Sequence, residues 1–175
     1  FMKEADQPDR YRGRYRVSSA RLRGWDYGSN AAYFVTICVR DRSHAFGEIC
    51  EGLMRFAPLG QAADACWRAI PDHFPFVVPD VHIVMPNHVH GIVVIDKQTA
   101  SAPAANRFGP QSQNLASILR GFKIGVTKFA SAQGLPFAWQ ARYHDHIIRN
   151  ASEWERIRAY IVTNPARWSR DAYFG

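Results

Sequence analysis

The hydrophobic and polar positions along this chain change period several times. Residues 33–39, Tyr-Phe-Val-Thr-Ile-Cys-Val, form a β-branched and aromatic run that predicts a first strand. Between Pro58 and Pro71 the apolar positions Leu59, Ala62, Ala63, Cys66, Trp67 and Ile70 recur at helical spacing, which predicts an amphipathic helix. β-Branched composition returns over 77–84 and again over 88–95. The short link Met85-Pro86-Asn87 between them predicts neighbouring antiparallel strands, with the second on the inside of the sheet. A second helix is predicted over 115–130, with Leu115, Ile118, Leu119, Phe122, Val126 and Phe129 inward and Arg120, Lys123 and Lys128 outward. Gly134 and Pro136 break that pattern, and 143–149 reads as a short strand ending the sheet. Ser152 as N-cap with Glu155 three residues on predicts a last helix running to about Thr163, which Pro165 ends or kinks.

The order strand, helix, strand, strand, helix, strand, helix predicts an α+β fold, a ferredoxin-like antiparallel sheet covered by helices. The stretch 96–113 turns to Ala, Ser, Pro, Gln and Asn and reads as a surface excursion within one domain. The expected organisation is a flexible basic arm over 1–24 and a single domain over 25–175.

Composition adds limits. A length of 175 residues with 47% hydrophobic and 13% aromatic content suits one folded domain with a real core. Three cysteines, Cys38, Cys50 and Cys66, give an odd number without C-x-x-C spacing, which argues against a disulfide framework or a cysteine zinc site and predicts a reducing, cytoplasmic setting. No apolar run approaches the roughly 20 residues of a membrane span, and a hydrophobic signal core is not seen near the N-terminus.

Net charge is +7 with a sequence pI near 9.7, which favours an anionic partner. Its placement is more telling. Six arginines and no acid lie between Arg10 and Arg23. Arg12, Arg14, Arg16, Arg21 and Arg23 alternate with Tyr11, Tyr15 and, further on, Trp25 and Tyr27, a composition able to hold phosphates and stack bases. A solvated tail is the plainer reading of the same arm.

His88 and His90 stand two residues apart in a strand run, so both imidazoles project from one face of the sheet. Packing or surface histidines are the commoner outcome of that pattern. Far downstream, Tyr160 and Asn164 sit four residues apart on one predicted helix face. Two imidazoles with the Asn164 amide oxygen make an open, formally uncharged site suited to Mg²⁺ or Mn²⁺, leaving positions for water and a substrate phosphate. Tyr160 would be the nucleophile. A free phenol has a pKa of about 10, so it needs activation at neutral pH. Tyr143, beside His144 and His146, is a rival nucleophile. His146 and Asp145 are candidates to support the site, and Arg149 to contact phosphate.

Four ordered blocks carry a resemblance that spans nearly the whole chain. They are Trp25-Asp26-Tyr27 with Ala32-Tyr33-Phe34-Val35-Thr36-Ile37-Cys38; Val84-Met85-Pro86-Asn87-His88-Val89-His90-Gly91-Ile92; Trp139-Gln140-Ala141-Arg142-Tyr143-His144-Asp145-His146-Ile147-Ile148-Arg149-Asn150; and Arg156-Ile157-Arg158-Ala159-Tyr160-Ile161-Val162-Thr163-Asn164-Pro165. Together they resemble the REP-associated tyrosine transposases of the HUH single-strand nuclease superfamily. The resemblance implies an HUH nuclease fold with the histidine pair on a central strand, a divalent cation on His88, His90 and Asn164, and Tyr160 as nucleophile on the final helix. Related insertion-sequence transposases act as dimers and the REP-associated branch as monomers, so both states stay open.

The expected function is a metal-dependent endonuclease and strand transferase acting on single-stranded DNA near hairpins, through a covalent 5′-phosphotyrosine. Two alternatives stand beside it. One is a protein that binds DNA hairpins without cutting; the other is a metal-dependent RNA-processing nuclease that uses water.

Overall fold

The computed structural model describes residues 24–97 and 113–174. The arginines assigned to DNA, Arg12, Arg14, Arg16, Arg21 and Arg23, lie outside the described residues, as does most of the predicted excursion.

Four strands form one antiparallel sheet: β1 (Ala31–Cys38), β4 (Val77–Met85), β5 (His88–Ile95) and β6 (His144–Ile148), in the order β4-β5-β1-β6. Helix α1 (Pro58–Arg68), followed by the single-turn α2 (Ile70–His73), connects β1 to β4, and α3 (Leu115–Ala132) connects β5 to β6. Each helix joins two parallel strands separated by one antiparallel neighbour, which is the split βαβ arrangement of a ferredoxin-like fold. Helix α4 (Ala151–Thr163) follows β6. The α+β expectation and the inner place of the histidine strand both hold.

Register sorts the side chains into two faces, because residues directly opposite in an antiparallel pair point the same way. Tyr33, Val35, Ile37, Val89, Val93 and Ile95 face α1 and α3 and build the main core with Trp67, Leu119, Phe122 and Val126. The opposite face carries Ala32, Ile92 and Ile148, on which Ile157 and Ile161 of α4 pack. Burying each such isoleucine stabilises the docked helix by about 1.5–3 kcal/mol. Gly91 lies on the main-core face directly under the Trp67 ring, where any Cβ would clash with it. That is why a glycine follows His90: one face of the strand holds the imidazole and the other admits an indole at backbone distance.

Strand β4 gains one residue against β5 between Pro79 and His82. A proline and a bulge are tolerated on this edge strand. The bulge presents Asp80, whose Oδ2 accepts from Trp154 Nε1 at 2.7 Å and whose Oδ1 lies 3.5 Å from Arg158. The irregular edge thereby helps set the position of α4.

One local expectation changes, and two short elements are added. The N-cap of α4 is Asn150 rather than Ser152: its side chain accepts from Glu153 N, and the Glu153 carboxylate takes the Arg149 N–H. The predicted Ser152 box is shifted by two residues because Asn is an equally good cap and comes first. A hairpin of β2 (Gly47–Cys50) and β3 (Leu53–Phe56), unexpected from the sequence, precedes α1. After Thr163, Pro165 ends the α-helix and a 3-10 helix runs over Pro165–Arg170.

Candidate metal centre and tyrosine site

His88 and His90 project from the α4 face of β5 and are both fully buried. Their Nε2 atoms lie 3.0 Å apart. Two metal–nitrogen bonds of about 2.0–2.1 Å at a right angle span about 3.0 Å, so the pair already has the separation of adjacent positions around one cation. Burial pushes both imidazoles down to about 3, helped at His88 by the Arg42 guanidinium and at His90 by His88 itself. Both are therefore neutral at physiological pH, the state a metal ligand requires.

Neighbours set the tautomers. Asn87 Nδ2 donates to Arg42 O at 3.2 Å and Tyr173 O at 2.8 Å, two carbonyls that only an N–H can satisfy. The Asn87 Oδ1 that this leaves faces His88 Nδ1 at 2.8 Å, so His88 carries its proton on Nδ1 and turns a bare Nε2 toward His90. His90 Nδ1 meets Thr36 Oγ1 at 2.8 Å. A hydroxyl both donates and accepts, so Thr36 serves either tautomer of His90. With its proton on Nε2, His90 donates to His88; with its proton on Nδ1, two bare nitrogens converge on one point.

Asp171 completes a cluster with His88 and His90 whose potential ligand atoms all lie within 4.8 Å of one another. This acid lies just past the 3-10 helix, and no spacing in the sequence announces it. The tight turn after Pro165 brings it back over β5. Asn164, proposed from sequence as third ligand, is also here and buried. Its Nδ2 donates to Asp171 Oδ2 at 2.6 Å, while its Oδ1 is buried without a hydrogen-bond partner. A buried amide oxygen left unpaired is costly unless something accepts its lone pair. Two imidazoles, one carboxylate and this oxygen fit a divalent cation of mixed N and O preference.

Tyr160, one helical turn before Asn164, reaches the same point. Its hydroxyl lies 3.2 Å from His90 Nε2 and 3.4 Å from Asp171 Oδ2, and its ring packs edge-on against Phe34. Burial and then the Asp171 charge raise the phenol to about 12. The residue is nevertheless 37% exposed, so the side chain borders solvent. Tyr143 lies elsewhere: it packs with the main core and lines a cavity against α3, on the other side of the sheet.

His144 and His146 share the site face, opposite Thr36 and Phe34 on β1. His146 Nε2 pairs with Glu153 Oε1 at 2.7 Å, joining β6 to the start of α4. Asp145 is buried on the reverse face. Arg149 is exposed at the end of the strand. The ring of Tyr173 lies over His88, with centroids 4.7 Å apart, and the Arg42 guanidinium lies over Tyr173. Arg42 and Tyr173 went unmarked in the sequence because loop and chain end meet here only through folding.

No family model matches the chain. An uncharacterised protein of Haemophilus influenzae is 38% identical over 165 residues, covering 89% of this chain and 92% of that protein. The chain belongs to that protein's family. A solved REP-associated tyrosine transposase bound to a REP hairpin superposes with a TM-score of 0.59 at 22% identity, covering 86% of this chain and 74% of that one. The chain shares the fold of that solved protein, an α+β fold with a four-stranded antiparallel sheet, as the resemblance of the four sequence blocks implies. Among the described residues no helix is long and apolar enough to cross a membrane.

Proposed function

We propose that the chain is a metal-dependent, single-tyrosine endonuclease and strand transferase acting on single-stranded DNA beside hairpins. The observation that carries this reading is the Tyr160 hydroxyl 3.2 Å from His90 Nε2, at the edge of the His88, His90 and Asp171 cluster. The transposase fold and its hairpin-bound relative support DNA as the substrate.

His88, His90 and Asp171, with Asn164 Oδ1, would hold Mg²⁺ or Mn²⁺, which when bound polarises the scissile phosphate and stabilises charge on its oxygens. Tyr160 is protonated at neutral pH, so its proton must leave as the bond to phosphorus forms. With His90 Nε2 committed to the ion, the Asp171 carboxylate, 3.4 Å from the hydroxyl, would take the proton through the oxygen that does not hold the ion. The Tyr160 Oη–P bond forms and the P–O3′ bond breaks. The departing 3′ oxygen takes up a proton, and the 5′ phosphate stays on the tyrosine. One phosphodiester replaces another, so a second 3′-hydroxyl can reverse the step and join strands. The basic arm, through Arg12, Arg14, Arg16, Arg21 and Arg23, is assigned to DNA phosphates.

The test is a denaturing gel after incubation with hairpin-bearing single-stranded oligonucleotides and Mn²⁺. The wild type should give a covalent protein–DNA band that Tyr160→Phe lacks, while His88→Ala with His90→Ala abolishes cutting. Cleavage without an adduct, in DNA or only in RNA, would make water the nucleophile. Tight binding with neither product would make this a hairpin-binding protein that does not cut.

A further inference from the structure

Across the sheet from the histidines, α3 and the segment before β6 border a solvent-open pocket of about 420 Å³. That lies within the roughly 300–1,000 Å³ of typical small-ligand sites. Leu119, Ile124 and Tyr143 supply apolar and aromatic walls, and Arg120, Lys123 and Lys128 bring three cations to it. No acid lines the cavity, and α3 contains none along its length. Lys123 is engaged, donating to Gln140 O at 2.8 Å and lying over the Trp139 ring. Arg120 and Lys128 are exposed, and among the described residues neither forms an ion pair. Ile124 is 48% exposed between them, an apolar side chain that the fold leaves open to water.

The position adds to the chemistry. Tyr143 immediately precedes His144, which lies on the site face of the edge strand β6, with its ring 6.5 Å from Phe34. Phe34 in turn touches His90 and Tyr160. Strand β6 is two strand spacings, about 10 Å, from β5. A chain crossing the free edge of β6 therefore passes from the tyrosine site to this cavity within a few nucleotides.

We propose that the cavity is a pocket for one nucleotide of single-stranded DNA, its base against Leu119, Ile124 and Tyr143 and its phosphates on Arg120 and Lys128. The inference rests on the DNA reading above and adds to it a sequence-flank contact on the reverse face of the sheet. An aromatic wall for stacking beside a cationic rim is the combination by which single strands are held. It would fix how far from the hairpin the strand is presented to Tyr160.

The experiment uses the full chain and fluorescence anisotropy with a DNA hairpin bearing a polythymidine flank. A single abasic site is moved through the flank one position at a time. One position should weaken binding about tenfold, the scale of a lost base stack. That sensitivity should vanish in Ala141→Trp or in Thr127→Trp, which fill the cavity from its two sides, each checked for an unchanged melting temperature. Arg120→Gln with Lys128→Gln should flatten the salt dependence by up to about two phosphate contacts. A flank without any sensitive position, or a sensitive position that persists in both tryptophan variants, overturns the pocket while leaving the DNA reading intact. Failure of the wild type to bind either hairpin or flank overturns both.

Discussion

Asn164 Nδ2 donates to Asp171 Oδ2 across 2.6 Å, which ties the end of α4 to the chain beyond the 3-10 helix and leaves Asn164 Oδ1 facing inward without a partner. The carboxylate brings the only formal negative charge to the His88, His90 and Asp171 cluster. Asp171→Asn should therefore lower Mn²⁺ affinity more than Asn164→Ala does, with each loss in the range of about 10–100-fold. Calorimetric titration of the DNA-free protein measures this directly. Unchanged affinity in Asp171→Asn would reduce Asp171 to a hydrogen-bond partner of Asn164.

Asn87 does two separable things: its oxygen orients His88, and its nitrogen holds the carbonyls of Arg42 and Tyr173. Asn87→Asp keeps an acceptor for His88 Nδ1–H and loses both donors. Asn87→Ala loses everything. Metal affinity should consequently fall about 10–100-fold in the alanine variant and be largely kept in the aspartate variant. Protease should cut near Tyr173 faster in both variants than in the wild type. Equal metal affinity across all three proteins would show that the tautomer of His88 is fixed by something else.

The sequence made the sheet and its histidine face legible because strand periodicity and an x-His-x-His-Gly run are local signals. The pairing of Tyr160 with Asn164 was legible for the same reason, as a four-residue helical spacing. Asp171, Arg42 and Tyr173 were not. They meet His88 only through a 3-10 turn after Pro165 and a loop in which Arg42 adopts a positive φ of 52°, and neither feature leaves a periodic trace. The β2–β3 hairpin was hidden because its four-residue strands are half-exposed and short of the alternation that marks a strand. The cap of α4 slipped by two residues because Asn150 and Ser152 are equally acceptable chemically, and docking of Glu153 onto Arg149 N decides between them.

Gly91 carries a stability prediction independent of function. A methyl group there meets the Trp67 indole, which is almost fully buried and stacked on His82, so it cannot swing aside. Gly91→Ala should destabilise the fold by about 1–3 kcal/mol through overpacking. For a chain of this size that is a melting-temperature loss of roughly 2–12 °C. In a Trp67→Leu background the same Gly91→Ala change should cost less than in the wild type if the clash is the cause, and calorimetry of the four proteins of that cycle decides it.

Burial holds His88 and His90 down to about 3 in the folded protein, against about 6.5 in an unfolded chain. His82 is lowered too, by burial, although Asp64 at 2.8 Å opposes that shift. Because these folded-state values are depressed, the unfolded chain binds more protons than the native one below about pH 6.5. The stabilisation from keeping the imidazoles neutral is complete above that pH and is lost as pH falls toward 3. Carboxylates begin to titrate only near the lower end of this range, so the histidine effect should be isolated between about pH 6.5 and 5. In chelator, urea unfolding midpoints should fall steadily across that window, with a slope approaching the uptake of two to three protons on unfolding. His88→Gln should lower the slope by about one proton, whereas saturating Mn²⁺ should raise the midpoints without steepening the slope, since the folded histidines already carry no proton in that window. A wild-type stability that is flat between pH 6.5 and 5 would mean that the histidine pair accepts a proton in the folded state, and a cation would then have to displace it to bind.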